Sequence, residues 1–182
     1  MNIRPKEPSF CTSKHLDAKD LEDRISRYQP LNSGRLCMIV IRKGDGSRYC
    51  PQEISVSRHK GVSGDRWAED PERKIEEQIA VMDMGIAELF ANSQSLTLFG
   101  DNLFIHEDWS RWEIGDRFEL GTAILRLTSE PHTGCSKFAM RFGAAALKKT
   151  VEHKHRKLRG VYVCVEQDGV IRVGDSICKL EE

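Results

Sequence analysis

The sequence lacks an excess of charge of either sign. It contains 28 lysine and arginine residues and 28 aspartate and glutamate residues, so its net charge gives no reason to expect a polyanionic partner such as nucleic acid. It also lacks an apolar run long enough to span a membrane, and its first residues lack the hydrophobic segment of a signal peptide. With 39% hydrophobic residues, the chain is expected to form one globular domain in the cytoplasm, without a membrane partner.

Several motifs of well-known sites are also missing. No two of the six cysteines are spaced as C-x-x-C, which argues against a structural zinc site. There is no G-x-S-x-G elbow, no Walker loop and no dinucleotide fingerprint. The cysteine spacing of an iron–sulfur cluster and a haem motif are absent too. Because no secretory signal is present, the six cysteines are expected to be reduced rather than paired.

Short apolar segments separated by turn residues are abundant. RLCMIVIRK, which begins at Arg35, and EISVS lie on either side of Gly44-Asp45-Gly46, which predicts a hairpin. RFELGTAILRLTSE predicts two strands with a turn at Gly121-Thr122, and RGVYVCVEQDGVIRV predicts a hairpin about Asp168-Gly169. Since strands and helices do not alternate regularly, the expected fold is mainly β and barrel-like, with two or three helices.

Helical patterns are found in three places. A short helix is expected over Ala18–Ser26, within the polar and otherwise aperiodic first thirty residues. ERKIEEQIAVMDMGIAELFANS fits either one amphipathic helix or a strand QIAVM followed by a helix. After Cys135, the spacing of Phe138, Phe142 and the following alanines predicts a single helix that continues to Lys149. Gly143 lies inside this predicted helix and would cost it about 1 kcal/mol relative to alanine.

Cys135 differs from the other cysteines in its surroundings. Cys37, Cys164 and Cys178 lie in apolar runs, where a thiol behaves as a small hydrophobic group. Cys135 instead follows Pro131 and Gly134 at a predicted helix start, where the helix dipole and nearby cations favour a thiolate. The alternatives are a thiol packed on a neighbouring side chain, a nucleophile and a ligand for a soft metal.

Two further groups bear on the function of this region. The histidines that could act as a base for a Cys135 nucleophile are His132, His59 and His106. The basic run KKTVEHKHRKLRG is either a solvated helix end or an anion site, with Arg156 and Arg159 as its best phosphate ligands. Nucleic acid is a weak alternative because no aromatic residues alternate with these cations.

Four stretches, taken in order, resemble a MOSC domain. They are GVSGDRW (61–67), GDNLFI (100–105) with GDRFELGTAILRLTSEPHTGCSKF (115–138), RFGAAAL (141–147) and RGVYVCVEQDGVIRVGDSI (159–177). This domain is the C-terminal module of molybdenum cofactor sulfurases, which are pyridoxal-phosphate enzymes, and many small bacterial proteins consist of it. The resemblance predicts an N-terminal arm over residues 1–32 and a MOSC domain over residues 33–182.

The resemblance also implies a site. It implies a cleft that binds the molybdenum cofactor (molybdopterin), with Cys135 matching the family's cysteine. Asp65 is expected near this cleft, and the expected cofactor contacts are Arg66, Asn102, Thr133 and Lys137. The expected phosphate partners are Lys60, Arg141 and Arg159.

Three functions are compatible with this resemblance. The first is an oxidoreductase for N-hydroxylated substrates, in which Cys135 is the metal ligand. The second is a sulfur carrier or transferase, in which Cys135 accepts a persulfide, and the third is a cofactor-binding module without catalysis. The sequence lacks the desulfurase domain of full-length sulfurases, so a separate desulfurase or reductase protein is the expected partner.

Overall fold

The fold of residues 9–181, which the computed structural model describes, is built mainly from strands. The strands are β1 (Leu36–Ile39), β2 (Ile41–Arg42), β3 (Arg48–Tyr49), β4 (Glu53–Ser57), β5 (Gly61–Val62), β6 (Ile79–Asp83), β7 (Leu103–Ile105), β8 (Arg117–Leu120), β9 (Ala123–Leu127), β10 (Val161–Gln167), β11 (Gly169–Arg172) and β12 (Cys178–Leu180). The helices are α1 (Ala18–Arg27), α2 (Met84–Ala91), α3 (Ser136–Phe142) and α4 (Ala144–Glu152). None of these helices is long and apolar enough to cross a membrane.

Seven strands form a curled sheet in the order β1-β7-β6-β10-β9-β8-β12. Its β6–β7 pair is parallel and its other pairs are antiparallel. A three-stranded sheet, β11-β4-β5, contributes Val56, Val62 and Ile171 to the same buried core. The curled sheet forms half a barrel, so the predicted mainly β, barrel-like fold is confirmed.

Two predicted strand pairings are wrong. The turn at Gly44-Asp45-Gly46 connects β2 with β3, whereas β4 pairs with β11 and β5. At Asp168-Gly169 the chain leaves the curled sheet, because β10 pairs with β6 and β9 while β11 pairs with β4. The predicted turn at Gly121-Thr122 does join a paired hairpin, β8–β9. The strands themselves were visible as local patterns, but their partners depend on residues far away in the chain.

The segment with two interpretations is a strand followed by a helix. All five residues of β6 are buried, which the one-sided apolar stripe of an amphipathic helix would not allow. Asp83 then begins α2, since its side chain accepts a hydrogen bond from the backbone N–H of Gly85.

The single helix predicted after Cys135 is divided into α3 and α4. Gly143 lies between them with φ +97° and ψ 152°, a backbone conformation that residues with a side chain rarely adopt. An added Cβ at Gly143 would lie 3.3 Å from the ring of His15. The break therefore lets the chain turn against the N-terminal segment, and the described residues contain four α-helices where two or three were expected.

The helix predicted near the N-terminus is present as α1. Asp17 caps its first turn, and Leu21 and Ile25 are buried in a second core cluster with α2, α3 and α4. The carboxylate of Glu22 lies 2.6 Å from the Nζ of Lys149 on α4. Residues 1–8 of the predicted arm are outside the described range, and the boundary at residue 32 remains a prediction.

Candidate functional site

Cys135 is the last residue before α3, and it ends the loop that follows β9. Its backbone is extended, with φ −115° and ψ 178°, and its side chain is exposed. Behind it, Phe138 and Phe142 anchor α3 in an aromatic cluster in which the rings of Phe99 and Phe142 stack at 4.1 Å. The buried face of α3 thus fixes the helix, and the thiol remains at the surface of a cleft.

The other cysteines are free as well, as expected for reduced thiols. Cys164 is buried and Cys37 is partly buried, and burial raises the pKa of both thiols, which keeps them protonated. Both fit the predicted role of a small hydrophobic group. Cys178 is exposed, so the same prediction was wrong for Cys178.

The cleft beside Cys135 is lined by many cations, and we call it the arginine cleft. It has a volume of about 240 Å³. Its lysine and arginine residues, among the described part of the chain, are Arg42, Arg48, Arg66, Lys137, Arg141 and Arg159. Within residues 9–181, no aspartate or glutamate lines it. Such a surface favours an anionic ligand, and guanidinium groups bind phosphate in bidentate geometry.

The pKa of Arg48 is lowered by its burial and by the neighbouring arginines. Burial, followed by repulsion from Arg66, Arg141 and Arg42, lowers the pKa of Arg48 to about 10. Its Nε atom is buried and has no hydrogen-bond partner within the described residues. An anion bound beside Arg48 would accept a hydrogen bond from this atom and would reduce the repulsion between the arginines.

Arg42 is held in place by the buried carboxylate of Asp65. The guanidinium Nη2 and Nε of Arg42 donate to the two carboxylate oxygens of Asp65 at 2.7 and 2.9 Å, and its Nη1 donates to the backbone carbonyl of Gly100. Asp65 is buried, which raises its pKa, but the hydrogen bonds and charge of Arg42 outweigh this effect and lower the pKa below its usual value. The carboxylate therefore stays ionised and holds one wall of the cleft.

Asn102, an expected cofactor contact, lies behind this wall rather than in the cleft. Its side chain is fully buried, donates to Asp65 at 2.9 Å and to the carbonyl of Val40, and accepts from the N–H of Ala80. These bonds place Asn102 beneath the Arg42–Asp65 pair. Its role in the fold is to orient that pair.

Arg159 forms a second buried ion pair. Its Nη1 donates to Asp101 at 2.6 Å, and its guanidinium lies 5.2 Å from the ring centroid of Phe138. Burial raises the pKa of Asp101, and the charge of Arg159 acts against this rise. Next to the pair, the ring of His132 lies against Tyr162 at a centroid distance of 4.3 Å.

A model of the MOSC domain matches residues 63–178 of this chain, which is more than half of its length. The chain belongs to the MOSC family. This family is associated with binding of the molybdenum cofactor. A comparison with curated proteins gave no significant match.

Solved structures share the fold of this MOSC protein. YuaD from Bacillus subtilis aligns with a TM-score of 0.61 at 15% identity, over 79% of this chain and 93% of YuaD. YiiM from Geobacillus stearothermophilus aligns with a TM-score of 0.59 at 18% identity, over 81% of this chain and 75% of YiiM. YiiM from Escherichia coli aligns with a TM-score of 0.57 at 17% identity, over 81% and 70%.

Most of the residues expected at the site of this MOSC protein lie together. Besides Cys135, the expected residues that line the arginine cleft are Arg66, Thr133, Lys137, Arg141 and Arg159. Lys60, an expected phosphate partner, is exposed in the turn between β4 and β5 and does not line the cleft. Of the three histidines considered as a base, His132 lines the cleft, whereas His59 and His106 do not.

Arg156, the other expected anion ligand of the basic run, has a structural role. It donates to the backbone carbonyls of Ile25 and Tyr28 at the end of α1. The carbonyl of Ile25 also accepts from the backbone N–H of Tyr28, so Arg156 adds a second donor at this helix end. Arg156 does not line the arginine cleft and its role as an anion ligand stays a prediction, whereas Arg159 does line the cleft.

Three polar side chains of the arginine cleft were missed in the sequence, namely Arg42, Arg48 and Tyr162. Arg42 and Arg48 face each other across the β2–β3 ladder, so one short hairpin brings both to the cleft. The only local signal was an arginine on each side of a glycine-containing turn, which is also common on solvent-exposed hairpins.

Proposed function

We propose that this MOSC protein binds the molybdenum cofactor in the arginine cleft and reduces N-hydroxylated substrates, with Cys135 as the metal ligand. One observation carries the proposal: an exposed cysteine and six cationic side chains line the same cleft. The association of the MOSC family with this cofactor gives the arrangement a ligand that has both a phosphate and a sulfur-rich metal.

The donor groups of the cleft fit the two ends of this cofactor. A cysteine thiolate is a soft ligand, which suits a metal that already has sulfur ligands. The phosphate would be held by the arginines around Arg48, whose buried Nε lacks a partner within the described chain. Arg66, Lys137 and Arg141 line the same cleft and would supply further charge, and Thr133 would supply a hydroxyl group.

Different residues of the cleft would hold the two ends of the cofactor. Cys135 would fix the metal end, and the arginines would fix the phosphate end and prevent rotation of the ligand. When bound, the molybdenum centre would supply two-electron redox chemistry. Reduction of an N–OH group to N–H consumes two electrons and two protons and releases water, and the proposal includes a separate reductase protein as the source of the electrons.

Metal and pterin analysis of protein from a cofactor-producing host tests the proposal. We expect stoichiometric molybdenum and pterin in the wild type, together with reduction of N-hydroxylated compounds when electrons are supplied. Cys135→Ser should lose molybdenum and activity. Arg48→Gln should lose pterin in addition to molybdenum and activity, because Arg48 is proposed to bind the phosphate of the cofactor. Cys50→Ser, which changes an exposed thiol outside the cleft, is the matched control. A wild type without molybdenum and without this reduction would refute the proposal.

A second function, sulfur transfer, is supported by the exposure of Cys135. An accessible thiolate can attack the terminal sulfur of a persulfide on a separate desulfurase, take that sulfur and release the desulfurase thiolate. The cyanide-releasable sulfur on the protein should then appear after incubation with a desulfurase and its sulfur donor, and should disappear in Cys135→Ser. An unlabelled wild type would exclude this role.

The third function, a binding module without catalysis, makes the opposite prediction for the thiol. If the arginines alone provide the function, Cys135→Ala should bind the pterin almost as well as the wild type and should cause no loss of activity in vivo. A strong effect of Cys135→Ala in either measurement would eliminate this alternative.

A further inference from the structure

A second cleft, which we call the apolar cleft, adjoins the arginine cleft. It has a volume of about 410 Å³, within the range of roughly 300–1,000 Å³ that is typical of small-molecule sites. Its walls are mainly hydrocarbon, and include Leu127, Val151, Leu158 and Val161. It shares a set of residues with the arginine cleft, namely His132, Thr133, Arg159 and Tyr162. A molecule in the apolar cleft would therefore lie beside the cleft that Cys135 lines.

The charged residues of the apolar cleft are mostly engaged elsewhere. Glu130 lies 3.8 Å from the Nζ of Lys74, and Lys157 donates to the backbone carbonyl of Trp112. Lys154 is exposed to solvent. Among the described residues, the walls thus provide no buried cluster of like charge, in contrast to the arginine cleft, and they favour an uncharged ligand.

His132 provides a buried polar atom where the two clefts meet. Its side chain is 4% exposed, and its Nε2 lies 3.5 Å from the Oδ1 of Asp101. This approach is not a hydrogen bond, since Oδ1 of Asp101 has no hydrogen-bond partner within residues 9–181. We assign the proton to Nε2 because a neighbouring carboxylate favours it there, which leaves Nδ1 as an acceptor. Nδ1 is buried and has no hydrogen-bond partner within residues 9–181.

The imidazole of His132 is uncharged at neutral pH. Burial, followed by repulsion from Arg159 and Arg42, lowers the pKa of His132 well below its usual value. A buried acceptor without a partner carries a desolvation cost. A ligand that donates a hydrogen bond to Nδ1 would recover part of this cost.

We propose that the apolar cleft is the substrate site, and that it takes a small, uncharged organic molecule with an N–H or O–H donor for His132. The inference rests on the proposed function, because the reacting group of the substrate must reach the adjoining arginine cleft. An aromatic amidoxime has this chemistry, since it joins an apolar ring to neutral N–OH and NH₂ groups. The apolar cleft accommodates the ring, and His132 accepts from the polar group.

Binding of benzamidoxime to the purified, isotope-labelled full-length protein tests this inference by NMR. We expect amide resonances of residues 150–162 to shift with benzamidoxime. Sodium pyrophosphate, as a separate anionic probe, should instead shift resonances of the β2–β3 hairpin and of residues around Arg66. The two probes should bind at the same time, because they use different clefts.

A double variant, Ile114→Glu with Val151→Glu, places charge on the rim of the apolar cleft. Both side chains are highly exposed, at 69% and 63%, so the substitutions should leave the fold intact. We expect the dissociation constant of benzamidoxime to rise about tenfold or more, and that of pyrophosphate to stay unchanged. Leu31→Glu, at a side chain that is 66% exposed and outside both clefts, is the matched control.

The inference is overturned if benzamidoxime causes no shifts, shifts only the arginine cleft, or binds the double variant as tightly as the wild type. Its failure is distinguishable from failure of the proposed function. Protein that contains molybdenum and reduces amidoximes, yet binds benzamidoxime away from the apolar cleft, refutes this inference alone. Protein that binds benzamidoxime in the apolar cleft, but from a cofactor-producing host contains no molybdenum and shows no reduction, refutes the proposed function alone.

Discussion

At the residue scale, the arginine cleft depends on buried carboxylates that orient its cations. Asp65 accepts hydrogen bonds from the backbone N–H, Nε and Nη2 of Arg42, from the N–H of Trp67 and from Asn102. Asp101 similarly holds Arg159. The stretches GDR and GDN, which resemble the family's motifs, thus contribute acceptors that support the cleft as well as groups that line it.

Replacement of Asp65 should therefore be costly for folding. Asp65→Asn removes the negative charge beneath Arg42 and replaces an acceptor oxygen with a donor. Since loss of one partner of a buried ion pair costs roughly 3–5 kcal/mol, we expect a decrease of that order in the free energy of unfolding, measured in urea. Asp23→Asn, at an exposed position on α1, should change it by less than about 0.5 kcal/mol. Equal effects of the two substitutions would contradict a supporting role for Asp65.

The neutral state of His132 predicts a pH dependence of stability. Because the pKa of His132 is lowered in the folded protein, the unfolded chain binds more protons below the ordinary histidine pKa. Stability must then fall as the pH falls below about 6.5, by up to about 1.4 kcal/mol per pH unit. His132→Gln should remove this component, so its free energy of unfolding should vary less steeply between about pH 5 and pH 7.

Urea unfolding across this pH range measures the effect, and His59→Gln is the control because His59 is exposed. The slope of His59→Gln should match that of the wild type. A slope of His132→Gln equal to the wild type would mean that the imidazole is already protonated in the folded protein.

At the element scale, local patterns identified strands and turns but not pairings. The strand EISVS coincides with β4, yet its partners are β11 and β5 rather than the segment before Gly44. Pairing is a non-local property, since the registry of β4 with β11 joins residues more than a hundred positions apart. The break between α3 and α4 was also missed, because apolar periodicity continues across Gly143 even though the backbone does not.

Substitution of Gly143 distinguishes a broken helix from a continuous one. In a continuous helix, Gly143→Ala would stabilise the protein by about 1 kcal/mol. With the observed positive φ, alanine is instead expected to destabilise it by about 1–3 kcal/mol, and contact of the new Cβ with His15 adds to this cost. Urea unfolding measures the difference.

Gly115→Ala separates strain from contact in this experiment. Gly115 also has a positive φ, of 94°, but an added Cβ there meets no atom within 4 Å. We expect Gly115→Ala to cost less than Gly143→Ala. A stabilising effect at Gly143 would show that α3 and α4 join when the glycine is removed.

At the scale of the whole molecule, the arginine cleft combines segments that are distant in the sequence. Cys135, Thr133, Lys137 and Arg141 come from one continuous stretch, which is why a sequence pattern could identify them together. Arg42 and Arg48 lie on a hairpin about ninety residues earlier in the chain, and only the topology of the fold brings this hairpin to the cleft. Site residues were therefore predictable where they are local, and unpredictable where topology brings them in.

This assembly makes anion binding a property of the folded state alone, and an anion should stabilise the protein. Pyrophosphate at a hundred times its dissociation constant should add about 2.7 kcal/mol to the free energy of unfolding. For a chain of this size, that increment corresponds to a rise of roughly 5–10 °C in melting temperature. The rise should shrink with increasing salt, because salt screens the partly exposed charges of the cleft.

Arg48→Gln tests which residue couples the anion to stability. Repulsion from Arg66, Arg141 and Arg42 is relieved when Arg48 loses its charge, so the anion-free variant should melt at the same temperature as the wild type or higher. The increment from pyrophosphate should be largely lost, because the buried donor of Arg48 is absent. Arg58→Gln, at an exposed side chain outside the cleft, should keep the full increment.

If pyrophosphate stabilises Arg48→Gln as much as the wild type, the anion binds elsewhere. The repulsion among the arginines would then be unrelated to binding of a phosphate.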